Sequence, residues 1–373
     1  MTCRFGLRCY LLCAALGLAT GPAAVIAQEK KKDDKPPTAP TKPADTKPSE
    51  MKPPVKPGES ESLRCVTADG IELIGDFYRP PEAVGKRAPC VILLHAVGPN
   101  KDSASRKDFG DLPKKLQKEG YAVLTFDFRG YGESKTVDAA KYARAHRLGA
   151  GSTVPRKMEA RNFRTAQDLA YLVNDLIAIK VHLNKLNNEG LCNSHNIALI
   201  GIEQGATIGL MWVYNENVDE NRIPDIRALR MGLAAKFEGE DVLGVVWISL
   251  NGMLSSRRME SRVVTKWLAT LRDRTATLAF HGQNDKDCKA FWDQAIKIIK
   301  PERQKEAYEL TDLKRLKNTN LAGHKLLDSA AFDVEKDILS FLNNVLVKPK
   351  ILWQEHKGGN RDPSLADLRV IFG

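Results

Sequence analysis

Five short segments of this 373-residue chain carry side chains able to do chemistry. Four follow an apolar run directly. His95-Ala96-Val97-Gly98 comes after Cys90–Leu94, and Asp127-Phe128-Arg129-Gly130-Tyr131-Gly132-Glu133-Ser134 after Tyr121–Phe126. Gly201-Ile202-Glu203-Gln204-Gly205 comes after Asn196–Ile200, and His281-Gly282-Gln283-Asn284-Asp285-Lys286-Asp287 after Ala276–Phe280. The fifth, Leu321-Ala322-Gly323-His324, precedes the last helical pattern. Glu203, Asp285 and His324 are two carboxylates and an imidazole. Such a set can exchange protons, attack an electrophile through a carboxylate, or ligate a divalent ion.

The elements that must position these residues alternate. Leu63–Phe77 reads as two strands about a turn at Asp69-Gly70. Cys90–His95, Tyr121–Phe126, Asn196–Ile200, Leu243–Leu250 and Ala276–Phe280 read as buried strands, and a short strand is expected near Tyr308–Leu313. Helical spacing covers Phe109–Glu119, Arg161–Asn187, a stretch from Gly205, Ser261–Leu271, Gln294–Ile299 and Ser329–Leu346. Continuous apolar strands alternating with helices predict an α/β class: a mostly parallel, doubly wound sheet with helices on both faces. The opening hairpin predicts an antiparallel edge. In such sheets chemistry gathers at the carboxyl ends of the strands, where the five segments fall.

Together these segments resemble the α/β-hydrolase fold, specifically serine hydrolases of the dienelactone hydrolase and serine aminopeptidase kind. The resemblance spans about Leu63 to Leu346. Asp127 to Ser134 is similar to that family's D-x-R-G-x-G-x-S segment, and the chain order elbow, acid, histidine agrees. The resemblance implies that Asp285 orients His324, the general base, with Asp287 the alternative acid. It also implies that the backbone N–H groups of Val97 and Gln204 form an oxyanion hole. His95, Asp127 and Arg129 then support the site, His95 by anchoring the oxyanion loop. Ser255–Thr275 is short, so no large lid is expected; Met211–Asp241 is the candidate insertion.

One residue departs from that pattern. The elbow normally reads G-x-S-x-G, and here Glu203 stands where the serine belongs. A glutamate with an ordinary pKa of ~4.3 is ionised at neutral pH and has no proton to pass to a histidine. Its charge, with that of Asp285, favours protonated His324, a poor general base. The carboxylate could also fill the oxyanion hole. Thr207, past the turn, is expected on the helix. The leading expectation is a binding or scaffold protein without ordinary serine-hydrolase activity. One alternative is an ester, epoxide or halide hydrolase using Glu203 as nucleophile or base; another is a metal site of Glu203, Asp285 and His324. No cofactor is expected.

Residues 1–27 place Arg4 and Arg8 before a short apolar run and end in Val25-Ile26-Ala27, as a secretory signal peptide does. Export to a secreted or periplasmic location is therefore expected. Residues 28–62 hold eight lysines against seven acids and almost no large apolar residue, the composition of a disordered linker. The hydrolase-like domain is expected over 63–347, with a tail over 348–373. The net charge is +11, of which about +8 belongs to domain and tail, interleaved without a basic block. Expected partners are a small molecule or a protein, not nucleic acid. No later stretch approaches the ~20 apolar residues of a membrane span. Of seven cysteines, Cys65, Cys90, Cys192 and Cys288 lie beyond the signal and are expected as buried thiols. Trp212, Tyr214 and Trp247 are expected in the core, and His281 as a structural side chain. His146, His182, His195 and His356 show no motif.

Overall fold

A computed structural model describes residues 58–149, 151–219, 223, 236–300, 311–357 and 362–372, all within one compact unit, Pro53–Gly373. The expected signal peptide and most of the linker lie outside the described residues. So do much of the 211–241 insertion and the first residues of the Tyr308–Leu313 strand.

The first hairpin is β1 (Glu61–Val66) and β2 (Glu72–Tyr78), so the first described strand starts two residues before the expected domain start. Then come β3 (Pro89–Leu94), α1 (Leu112–Lys118), β4 (Ala122–Phe126) and α2 (Ala139–Ala145). The helix expected over Arg161–Asn187 is broken. It forms a 3-10 turn at Ala160–Asn162, then α3 (Ala166–Ala170) and α4 (Val173–Asn188). The break has a local cause. Thr165 Oγ1 accepts from the Asp168 N–H and the Asp168 carboxylate accepts from the Thr165 N–H, a reciprocal cap that starts a new helix. Next are β5 (Asn193–Ile202), α5 (Gln204–Val218), β6 (Val242–Ile248) and a two-residue ribbon, β7 (Met253–Leu254) with β8 (Arg257–Arg258). The described chain closes with α6 (Ser261–Arg274), β9 (Ala276–Gly282), α7 (Lys286–Ile299), β10 (Asp312–Leu316), α8 (His324–Leu327), α9 (Val334–Leu342) and α10 (Leu368–Phe372).

Eight strands form one sheet in the order β1-β2-β4-β3-β5-β6-β9-β10. β2 runs antiparallel to β1 and β4; every other neighbouring pair is parallel. Alternation along each strand divides the core into two layers. Ile92 and Leu94 of β3, with Ile197 and Leu199 of β5, face Leu176, Trp212 and Trp267. Val91, Leu93, Ala198 and Ile200 face Leu116, Ile338 and Leu342. Helices therefore cover both faces, and the sheet order with its elbow after β5 is that of the α/β-hydrolase fold. Between β6 and β9 the chain forms only the ribbon and α6, so no lid domain arises there. Trp212 and Trp247 are fully buried and Tyr214 half-buried against the first layer. All four cysteines are free; Cys90, Cys192 and Cys288 are buried and Cys65 half-buried. No helix among the described residues is long and apolar enough to cross a membrane.

The tail docks rather than trailing off. Asn193 donates to Ile351 O at 3.0 Å, Asn187 to Gln354 O at 2.9 Å, and Asn188 to His356 O at 2.9 Å. Trp267 Nε1 donates to Ile371 O at 3.0 Å, and Ile371 is fully buried. His356 enters a buried cluster around Lys180. The ammonium lies 2.7 Å from Glu238, 2.9 Å from Asp241 and 3.2 Å from His356 Nε2. His195 pairs with Asp241 at 2.9 Å and stacks on His356 with ring centroids 4.6 Å apart. Burial alone would raise the Glu238 carboxyl; Lys180 and His356 instead hold it down at about 2, and Asp241 is likewise held well below the usual range.

Candidate functional site

β5 delivers its last residue into a sharp turn. Glu203 has φ 49° and ψ −122°, a strained conformation for a residue with a side chain, and α5 starts immediately after it. The flanking glycines make the turn possible. A Cβ at Gly205 would collide with the His95 carbonyl oxygen, and one at Gly201 would sit 2.7 Å from the Ala206 Cα. The Glu203 N–H donates to Ile248 O of β6 at 2.8 Å, which ties the turn to the sheet.

The Glu203 side chain goes neither into the oxyanion hole nor to His324. Its Oε2 pairs with Lys101 Nζ at 2.6 Å, the lysine coming from the loop after β3. Its Oε1 lies over Gly323, so close that a Cβ there would collide with it. Among the described residues, the Val97 and Gln204 N–H groups have no hydrogen-bond partner, so that pair of donors is free. The Gln204 side chain is occupied: it donates to Ser255 O at 2.7 Å and accepts from the Ser255 N–H at 2.8 Å.

The expected triad is not assembled. Asp285 caps α7, with its Oδ1 accepting from the Cys288 N–H at 3.0 Å. Asp287 is drawn to Arg258 at 2.9 Å on the surface. No hydrogen bond or ion pair joins His324 to Asp285, Asp287 or Glu203 among the described residues. A helix start needs an acceptor for its first N–H groups, and Asp285 serves that need. The turn before His324 is nonetheless held beside the elbow, since the Gly323 N–H donates to Ser249 Oγ at 2.8 Å. Nor do Glu203, Asp285 and His324 converge as a metal site. Among the described residues the set with ligand atoms mutually close enough is His195, Asp241 and His356, and there the Lys180 ammonium already supplies the cation.

His95, Asp127 and Arg129 lie in buried hydrogen-bond networks at the strand ends. His95 Nε2 accepts from the Phe128 N–H at 3.0 Å, so the proton sits on Nδ1 and goes to Ala96 O at 2.7 Å. Burial lowers its pKa, and the neutral ring welds the end of β3 to the end of β4. Asp127 accepts from the Arg106 N–H at 2.8 Å and the Glu133 N–H at 2.9 Å, and pairs with the Arg106 guanidinium. Arg129 is locked between Asp175 at 2.7 Å and Asp69 at 2.6 Å. His281 is buried on β9, its Nδ1 against Gly282 O. Thr207 is fully buried within α5. Sequence reasoning missed Lys101; nothing in Pro99-Asn100-Lys101 marks it.

No family model matches the chain, and no curated protein matches it. Solved structures do. The chain is similar to a lidless α/β serine hydrolase from Xanthomonas campestris at 16% identity and TM-score 0.41, over 79% of this chain and 97% of that one. It is similar to an esterase from Pyrococcus furiosus at 16% identity and TM-score 0.47, over 80% and 97%. It is also similar to an α/β serine hydrolase homologue from Coxiella burnetii at 14% identity and TM-score 0.42, over 79% and 100%. At such identities no activity transfers.

Proposed function

We propose that this chain is an exported binding protein on a hydrolase scaffold, without serine-hydrolase turnover. The Lys101–Glu203 ion pair at 2.6 Å carries the reading. A serine mechanism needs a hydroxyl at the elbow and an oriented neutral imidazole to take its proton. Here a carboxylate stands at the elbow with its charge matched by an ammonium, and among the described residues His324 has neither an acid nor a hydroxyl bonded to it. The same pairing speaks against Glu203 as a nucleophile, because a carboxylate held by an ammonium is a weaker attacker. What the elbow retains is recognition chemistry: two N–H groups, on Val97 and Gln204, without a partner among the described residues and suited to an oxygen of a bound small molecule or peptide.

The test is covalent labelling of the folded chain with a serine-directed fluorophosphonate. No labelling is expected. Labelling that disappears on substitution of one serine would overturn the proposal. Export rests on the composition of residues 1–27, and a secreted chain whose mass begins at Gln28 is the expected product; retention of the full-length chain would count against it.

A further inference from the structure

A cavity of about 470 Å³ opens between β1, α2 and α4, and none of its lining residues belongs to the Glu203 site. Such a volume suits a small organic ligand. Its wall is strongly cationic. Arg64 comes from β1, Lys141 and Arg144 from α2, and Lys185 from α4; Asp362 is the one carboxylate among the lining residues. Arg64 is balanced by Glu72 at 3.1 Å. Lys141, Arg144 and Lys185 have no ion-pair partner among the described residues. Three uncompensated cations around one concavity repel each other, and that cost is relieved when an anion enters. β1 is also the edge strand, so one side of its backbone is unpaired within the sheet.

We propose that this cavity is a binding site for a compact, multiply charged oxyanion, a small molecule bearing phosphate groups or several carboxylates. Guanidinium and ammonium groups on three separate elements reach such a ligand from different sides, and Arg144 can hold two of its oxygens at once. His182 and Thr67 also line the wall and carry no negative charge, and the thiol of Cys65 does not compete. Burial and Asp175 push the Cys65 thiol up to about 12, against a partial pull from Lys185, so it stays protonated and adds no negative charge. The site binds; it does no thiol chemistry.

Calorimetric titration of the full chain at low salt, with pyrophosphate in one arm and citrate in the other, tests this. One-to-one saturable binding of at least one is expected, and the preferred arm separates a phosphate ligand from a carboxylate one. The Arg144→Gln/Lys185→Gln variant should weaken binding at least tenfold. Asp362→Asn should tighten it several-fold. Lys118→Gln/Lys297→Gln, which removes two exposed charges elsewhere, should leave it within a factor of two. Absence of binding in both arms would overturn the proposal. So would equal loss in the two double variants, or capture of long anionic polymers alone, since each would mean general surface charge rather than a built cavity.

Discussion

Glu203 combines a strained backbone with a side chain held by Lys101, and both features bear on Gly323. That glycine has φ 61°, and a Cβ on it would meet the Glu203 carboxylate. Gly323→Ala should destabilise by about 1–3 kcal/mol, from the positive φ and from the collision. Adding Glu203→Ala should recover the collision part only, giving a coupling of at least ~0.5 kcal/mol in a double-mutant cycle by urea unfolding. Strict additivity would mean that the carboxylate does not sit over Gly323. The ion pair itself, at 18% and 34% exposure, should contribute no more than ~1 kcal/mol. Glu203 was legible in the sequence because two glycines frame it after an apolar run. Lys101 was not, since a long side chain's reach depends on how its loop folds. Asp285 misled because an aspartate after a strand and before a helix can serve as triad acid or as helix cap, and its spacing is the same in both roles.

At the scale of elements, apolar runs marked the buried strands well, because a strand covered on both faces cannot alternate. The break before α3 was hidden. Apolar periodicity continues across it, while the reciprocal Thr165–Asp168 cap decides where the helix starts. The Lys180 cluster was equally hidden, for a lysine on a helix ordinarily faces water. Lys180→Met strands two buried carboxylates, Glu238 and Asp241, and should cost about 3–5 kcal/mol at neutral pH. The sign with pH follows from the depressed carboxyls. Their contribution is fully present above the ordinary value of ~4.3 and is lost as pH falls toward about 2 for Glu238. The gap between wild type and Lys180→Met should therefore narrow from pH 7 to pH 3, measured by urea unfolding at each pH. A gap that does not change with pH would remove Lys180 as the cause.

For the whole molecule, alternation was enough to reach a mostly parallel sheet covered on both faces, and the strand-end motifs carried the resemblance to the α/β-hydrolase fold, but neither set where the domain stops. A boundary at residue 347 followed from the mixed composition of the tail. The structure places that tail in the fold through asparagine side chains and single buried residues, which leave no periodic trace. A chain ending at Val347 should lose its thermal midpoint by about 10 °C or more, or fail to stay soluble, because Ile371 and the partners of Asn187, Asn188 and Asn193 go with the tail. An unchanged midpoint would restore the shorter domain. Charge, too, is informative only once placed. The net +11 implied nothing while it was spread over the chain, and part of it surrounds one cavity.

β5 acquires a mechanical role from these contacts. Its first residues, Asn193 and His195, grip the tail and the Lys180 cluster, while its last, Ile202, carries the elbow. It is a beam clamped at its root and loaded at its tip. A pull on the chain at Ile351 or His356 would bear directly on the root of the strand behind Glu203.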